Sequence, residues 1–82
     1  MPHLTIRLFS MLKDRAGTSR IEIALTEPTR VDALLARIGE QYPALADALP
    51  FSAVTINRAY ADPDTIINLG DEVALFPPVS GG

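Results

Sequence analysis

The sequence has 82 residues, enough for one compact domain and too few for a binding domain beside a separate catalytic one. Its 48% hydrophobic and 21% charged residues are the balance of a folded globule, and a formal net charge of −3 with a pI near 4.8 argues against nucleic acid as a partner, since phosphate-backbone binders cluster Lys and Arg. The absence of cysteine excludes disulfides, thiolate metal ligands and a cysteine nucleophile, so any sulfur chemistry uses sulfur brought from outside. His3, the only histidine, cannot build a metal cluster alone and is expected as an exposed strand residue. There is no apolar run of about 18 residues to span a membrane. The opening Met-Pro-His-Leu-Thr-Ile-Arg lacks the basic start and apolar run of a signal peptide, which makes the cytoplasm the expected location.

Residues 4–9 alternate, with Leu4, Ile6 and Leu8 on one face and Thr5, Arg7 and Phe9 on the other, as in a half-buried strand. Ser10 to Ala16 can form one or two helical turns before Gly17 and Thr18 interrupt them. Alternation resumes over residues 19–25, with Ile21, Ile23 and Leu25 inward, and the short connection favours an antiparallel pairing of these two strands. The period then changes. Val31, Leu34, Leu35 and Ile38 recur at helical spacing, Thr29 stands at the N-cap position with Asp32 three residues on, and the helix is expected to stop at Tyr42, before Pro43.

Ala44 to Pro50 reads as a loop or a single turn, and residues 53–57 as a third strand with Val54 and Ile56 inward. Asn57-Arg58-Ala59 turns into a very short strand around Tyr60. Asp62-Pro63-Asp64 and Leu69-Gly70-Asp71-Glu72 are further turns, leaving Val73 to Phe76 as the last strand. The carboxylates of Asp62, Asp64, Asp71 and Glu72 invite a calcium reading, but turn chemistry explains them better, and no metal site is expected. The order β-β-α-β-β-β, with the last strand beside the first, makes an α+β domain: a mixed sheet of four to five strands with one main helix packed on one face. That arrangement resembles the ubiquitin-like β-grasp fold. The domain is expected over residues 1–76 and a projecting tail over 77–82.

In the tail, Pro77 and Pro78 cannot donate ladder hydrogen bonds and favour a stiff extended chain, so the strand ends there and the segment Val79-Ser80-Gly81-Gly82 leaves the globule. Gly81 and Gly82 make a slim end that can enter a narrow pocket. The competing reading of two terminal glycines is a frayed end or an expression scar. A stiff Pro-Pro spacer at a strand exit weighs against that.

The run from Gly70 to Gly82, Gly-Asp-Glu-Val-Ala-Leu-Phe-Pro-Pro-Val-Ser-Gly-Gly, resembles the C-terminal signature of the small subunits of molybdopterin synthase, and Ile6-Arg7-Leu8-Phe9-Ser10 resembles that family's first strand. The resemblance extends over essentially the whole chain, with the run 70–82 as its specific part. It implies a sulfur carrier. A ubiquitin-activating-type adenylyltransferase activates the carboxylate of Gly82 with ATP, sulfur replaces AMP to give a thiocarboxylate, and the large synthase subunit directs that sulfur into the pterin precursor. It also implies a carrier, monomeric alone, that becomes part of a heterotetramer with two large subunits, two carriers being needed per molybdopterin because its dithiolene needs two sulfurs.

The chemistry gives each step its own reason. An α-carboxyl group with a pKa of about 3.5 is ionised at pH 7 and resists nucleophiles until it is activated. Because the tail holds no titratable side chain, acid-base work and the Mg-ATP step belong to the partners, and the chain is expected to bind no cofactor itself. Phe9 and Phe76 hold outward positions, Tyr60 lies on the short strand or turn near them, and the three form a candidate docking patch near the base of the tail, against the alternative of scattered surface aromatics. The resemblance also places partner contacts there. Among the basic side chains Lys13, Arg7 and Arg58, Lys13 is the best candidate for steering a partner, although isolated basic residues are commonly just solvated. Three other readings stay open: a carrier for thiamine or cysteine synthesis, a ubiquitin-like modifier joined through Gly82 to lysines, and a passive interaction module. The sequence Phe-Pro-Pro-Val-Ser before the glycines favours molybdopterin.

Overall fold

The computed structural model describes residues 3–77. Its first strand, β1 (His3–Leu8), buries Leu4, Ile6 and Leu8 and turns the alternate side chains outward. A two-turn helix, α1 (Ser10–Ala16), follows, buries Leu12, and ends at Gly17, which takes a left-handed φ of 77° and donates its N–H to the Lys13 carbonyl at 2.9 Å. The chain then returns as β2 (Arg20–Ala24), antiparallel to β1, with Ile6 opposite Ile21 and Leu4 opposite Ile23. The first strand has the expected length but starts and ends one residue earlier than the 4–9 its alternation suggested. Phe9 lies beyond the strand, in extended backbone, as the residue that starts α1.

Thr29 does not cap the main helix, contrary to the sequence expectation. Thr29–Arg30 form a short strand, β3, and the main helix α2 (Val31–Gln41) begins after it with Arg30 at the cap and no side-chain capping bond. The first N–H groups of α2 are satisfied from elsewhere, Val31 donating to the Thr65 carbonyl and Asp32 to that of Pro63, each at 3.0 Å. Asp32 serves a different purpose from the one its spacing suggested: its carboxylate takes a forked pair of hydrogen bonds from the Arg30 guanidinium at 3.0 and 3.2 Å.

The helix lays Val31, Leu34 and Ile38 on the sheet and stops before Tyr42, whose N–H closes the last turn on Ile38. Two 3-10 turns, Pro43–Leu45 and Leu49–Phe51, then carry Leu45 and Leu49 into the core, where the sequence suggested one turn or a loop. The chain continues through β4 (Ala53–Ile56), β5 (Ala59–Tyr60), β6 (Ile66–Ile67) and β7 (Val73–Phe76). The main sheet has the order β2-β1-β7-β4-β5, with β1 and β7 parallel, and a separate two-stranded ladder joins β3 to β6. This is the ubiquitin-like β-grasp architecture expected from the sequence.

The inward side chains of the four central elements meet α2 in a single apolar core in which Ile6, Ile23, Leu34, Ile38, Val73 and Leu75 are fully enclosed. No helix among the described residues is long and apolar enough to cross a membrane. Of the expected tail, only Pro77 lies within the described residues; Pro78, Val79, Ser80, Gly81 and Gly82 lie outside them.

Candidate functional site

The strand that leads to the tail is the middle strand of the sheet. β7 is held by β1 on one side, with Arg7 opposite Ala74 and Leu8 opposite Leu75, and by β4 on the other, with Ala53 opposite Phe76 and Thr55 opposite Ala74. Strand alternation then fixes the side chains: Val73 and Leu75 face the core, while Ala74 and Phe76 face away from α2. Because Phe9 follows Leu8 directly, it arrives beside Phe76. The two rings stack with centroids 4.6 Å apart and planes 8° from parallel.

Around this pair the outer face of the sheet forms a shallow groove lined by Arg7, Phe9, Thr55, Tyr60, Ala74 and Phe76, with Arg58 and Glu72 from the adjoining turns. Tyr60 is 83% exposed at the sheet edge, an unusual placement for a ring that no core contact requires. Ala74 keeps the floor low between Arg7 and Thr55. The Arg7 guanidinium lies over Phe9 at 5.5 Å from the ring centroid, which both orders the arginine and covers one face of the stack. The three aromatics named from the sequence are thus brought together on one surface at the exit of β7. Lys13 is not. It stands exposed on the last turn of α1 with Arg15, where both favour the helix dipole, and it is not among the residues that line the groove.

The acidic residues near this face are used in turns. Asp71 accepts from the Asn68 N–H at 2.8 Å and from the Asn57 side-chain amide at 3.3 Å, while the Asn57 side-chain oxygen accepts from the Glu72 N–H at 2.9 Å. Asp62 forms the corresponding turn with Thr65, whose N–H donates to its carbonyl and whose hydroxyl oxygen accepts from its N–H, each at 3.0 Å. His3, Thr5 and Arg7 border a second, more polar hollow on the same face, together with Arg20 and Arg58. Sequence reading passed over Arg20; the signal for it was its outward parity in the second strand, and only the register places it opposite Arg7.

On the other side of the molecule, Leu35, Ala36, Gly39, Ala46 and Leu49 line an apolar hollow beside α2, where Asp32 is engaged by Arg30 and which lies away from the strand exit. The outer sheet face is therefore the better candidate. It can seat an apolar partner surface next to the exit of β7.

The model of the ThiS family matches residues 6–82. The chain is 36% identical to the molybdopterin synthase sulfur carrier subunit of Dictyostelium discoideum, with 94% of this chain and 93% of that protein covered. It is 33% identical to the protein of the same name from Escherichia coli strain K12, with 96% and 99% covered. Among solved structures it is similar to small archaeal modifier protein 1 of Haloferax volcanii, at a TM-score of 0.82 and 26% identity, covering 96% of this chain and all of that one.

Proposed function

This chain belongs to the ThiS family, and we propose that it is the sulfur carrier subunit of a molybdopterin synthase, working through the carboxylate of Gly82. The observation that carries this reading is the match to curated carrier subunits along nearly the full length of both chains. The groove beside the β7 exit is its structural counterpart, with Phe9, Tyr60 and Phe76 docking the large subunit and Lys13 contacting a partner from α1.

The cycle follows from the carboxylate's chemistry. An ionised carboxylate of pKa about 3.5 repels nucleophiles at pH 7. The activating partner, a ubiquitin-activating-type adenylyltransferase, binds Mg-ATP; the Gly82 oxygen attacks the α-phosphorus, pyrophosphate leaves, and an acyl adenylate forms. A sulfur nucleophile then displaces AMP and leaves a thiocarboxylate. In the complex with the large subunit its sulfur attacks an electrophilic carbon of the pterin precursor, an oxygen substituent on that carbon leaves with the bonding electron pair, and water then cleaves the acyl–sulfur bond to restore the carboxylate. Two such transfers supply the two sulfurs of a dithiolene, which suits an assembly of two carriers and two large subunits. The carrier's own contribution is to present the end of the chain and to position the partner.

The test is intact-mass measurement of the full chain incubated with the activating enzyme, ATP and a sulfur donor. The expected gain is the difference between one sulfur and one oxygen atom, located at Gly82, with molybdopterin formed once large subunit and precursor are added. A chain lacking Gly81 and Gly82 should keep its unfolding midpoint and gain no mass. No mass change in the intact chain, with an enzyme active on another carrier, would refute the reading. The likeness to the archaeal modifier favours a second reading, conjugation of Gly82 to lysines. Glycine-glycine remnants on lysines of other proteins would support it.

A further inference from the structure

Arg7 and Arg20 are direct cross-strand partners in the antiparallel β1–β2 ladder. Their neighbours Ile6, Leu8 and Ile21 point into the core, so both arginines project from the outer face, and both are exposed. Like charges directly opposite in a ladder repel. Acidic side chains share the face, with Glu22 opposite Thr5 and Asp71 and Glu72 at the hollow, but among the described residues the ion pairs join Arg30 to Asp32 and Arg58 to Glu72 and none engages Arg7 or Arg20. A third guanidinium, Arg58, borders the same polar hollow, held on a turn residue with a left-handed φ of 70° that an arginine adopts at a cost.

These arginines are continuous with the aromatic groove. Arg7 and Arg58 line both hollows, and Arg7 covers the Phe9 ring of the stacked pair. A guanidinium offers a planar fork of donors that matches a carboxylate. A free multivalent anion fits less well, because Asp71 and Glu72 border the same open hollow and would repel it. A carboxylate carried by a protein surface is already held in place by the contact over the phenylalanines.

We propose that Arg7 and Arg20 read an acidic side chain on the docked partner, so that the protein seated on Phe9 and Phe76 presents an Asp or Glu above the opposed guanidinium pair. This rests on the reading of the sheet face as the docking surface for the large subunit, and it adds the charge that the partner must bring. The repulsion in the free chain is relieved when the complex forms.

The experiment compares the full chain with an Arg7→Gln/Arg20→Gln double variant and with Phe76→Ala, measuring association and dissociation rates with the large subunit at low and high salt. The double variant should associate about tenfold more slowly at low salt and lose most of the salt dependence, with its dissociation rate changed less. Phe76→Ala should mainly speed dissociation. In the free chain, Arg20→Gln should raise the thermal midpoint by about 1–4 °C, because it removes the opposed charge.

Wild-type association rates and salt slope in the double variant, with Phe76→Ala still weakening the complex, would overturn this inference and leave the docking surface standing. An unchanged or lowered midpoint for Arg20→Gln would overturn its premise. No binding by the wild-type chain would overturn the docking surface and the inference together.

Discussion

Replacing Arg58 with glycine should make the free chain more stable while removing a charge from the candidate docking face. β4 and β5 are joined by Asn57 and Arg58, both with left-handed backbone at φ of 52° and 70°, as a two-residue hairpin turn of the primed type requires. Asparagine adopts that conformation readily. An arginine there carries a steric penalty of about 1–2 kcal/mol, which glycine avoids. Glycine also gives the unfolded chain more freedom, which takes back about 0.5–1 kcal/mol.

The remaining consideration is the Arg58–Glu72 contact, at 4.0 Å between side chains that are 86% and 50% exposed. Such a loose surface pair contributes close to zero, within the range of about 0–1 kcal/mol for exposed pairs. The net expectation is a gain of about 0.5–1 kcal/mol, or about 2–8 °C in the thermal midpoint of a domain this size. Calorimetry and urea unfolding of Arg58→Gly and Arg58→Ala would measure it, since alanine removes the same side chain but keeps the left-handed penalty. If the glycine variant is no more stable than the alanine variant, the backbone argument is wrong.

Gly39→Ala should also stabilise, by about 0.5–1 kcal/mol in urea unfolding, since Gly39 lies inside α2 and a Cβ there would meet Ala46 and Leu49 at 3.6 Å, an ordinary contact distance. Leu75→Ala should cost about 2–5 kcal/mol, because the side chain is fully enclosed on the central strand. Against a total of about 4–12 kcal/mol, that loss brings the chain near its unfolding threshold, visible as a large fall in the urea midpoint. Phe9→Ala should remove the stack with Phe76, lowering stability by about 0.5–1.5 kcal/mol beyond the lost burial. It should also weaken binding to the large subunit by about tenfold or more in titration calorimetry, as loss of a central aromatic anchor does.

The parts of the fold readable from sequence are those with enough residues to display a period. Leu4, Ile6 and Leu8, then Ile21 and Ile23, then Val31, Leu34 and Ile38 repeat a spacing that only one backbone conformation satisfies. β3 and β6 escaped notice because two residues have no period; the ladder between Thr29–Arg30 and Ile66–Ile67 exists because the loop from residue 61 to 65 packs across the start of α2. The same loop explains the misplaced cap. Carbonyls of Pro63 and Thr65 occupy the place that a Thr29 hydroxyl would have taken, and nothing local to Thr29 signals their arrival. At the candidate site, the parity of Phe76 and the position of Phe9 sufficed to put both on the outer face. The opposition of Arg7 and Arg20 depends on a register set by the length and shape of α1, and the backbone of Arg58 depends on the turn closing over two residues.

β7 joins these two kinds of information. Its register is fixed twice, by the parallel ladder to β1 and by the antiparallel ladder to β4, and in both ladders a shift of one residue would turn Leu75 outward and bury Phe76. The apolar core that selects Leu75 therefore also selects the orientation of Phe76, and with it the side of the sheet on which the aromatic groove forms. Pro77 then ends the hydrogen-bonding capacity of the strand at the edge of that groove. The stacked rings and the end of β7 at Phe76 therefore stand in a fixed relation to each other. This also explains why charge repulsion and turn strain can be tolerated at Arg7, Arg20 and Arg58. They lie on the face opposite the core, where their cost is confined to side chains and one turn, and the register of β7 does not depend on them.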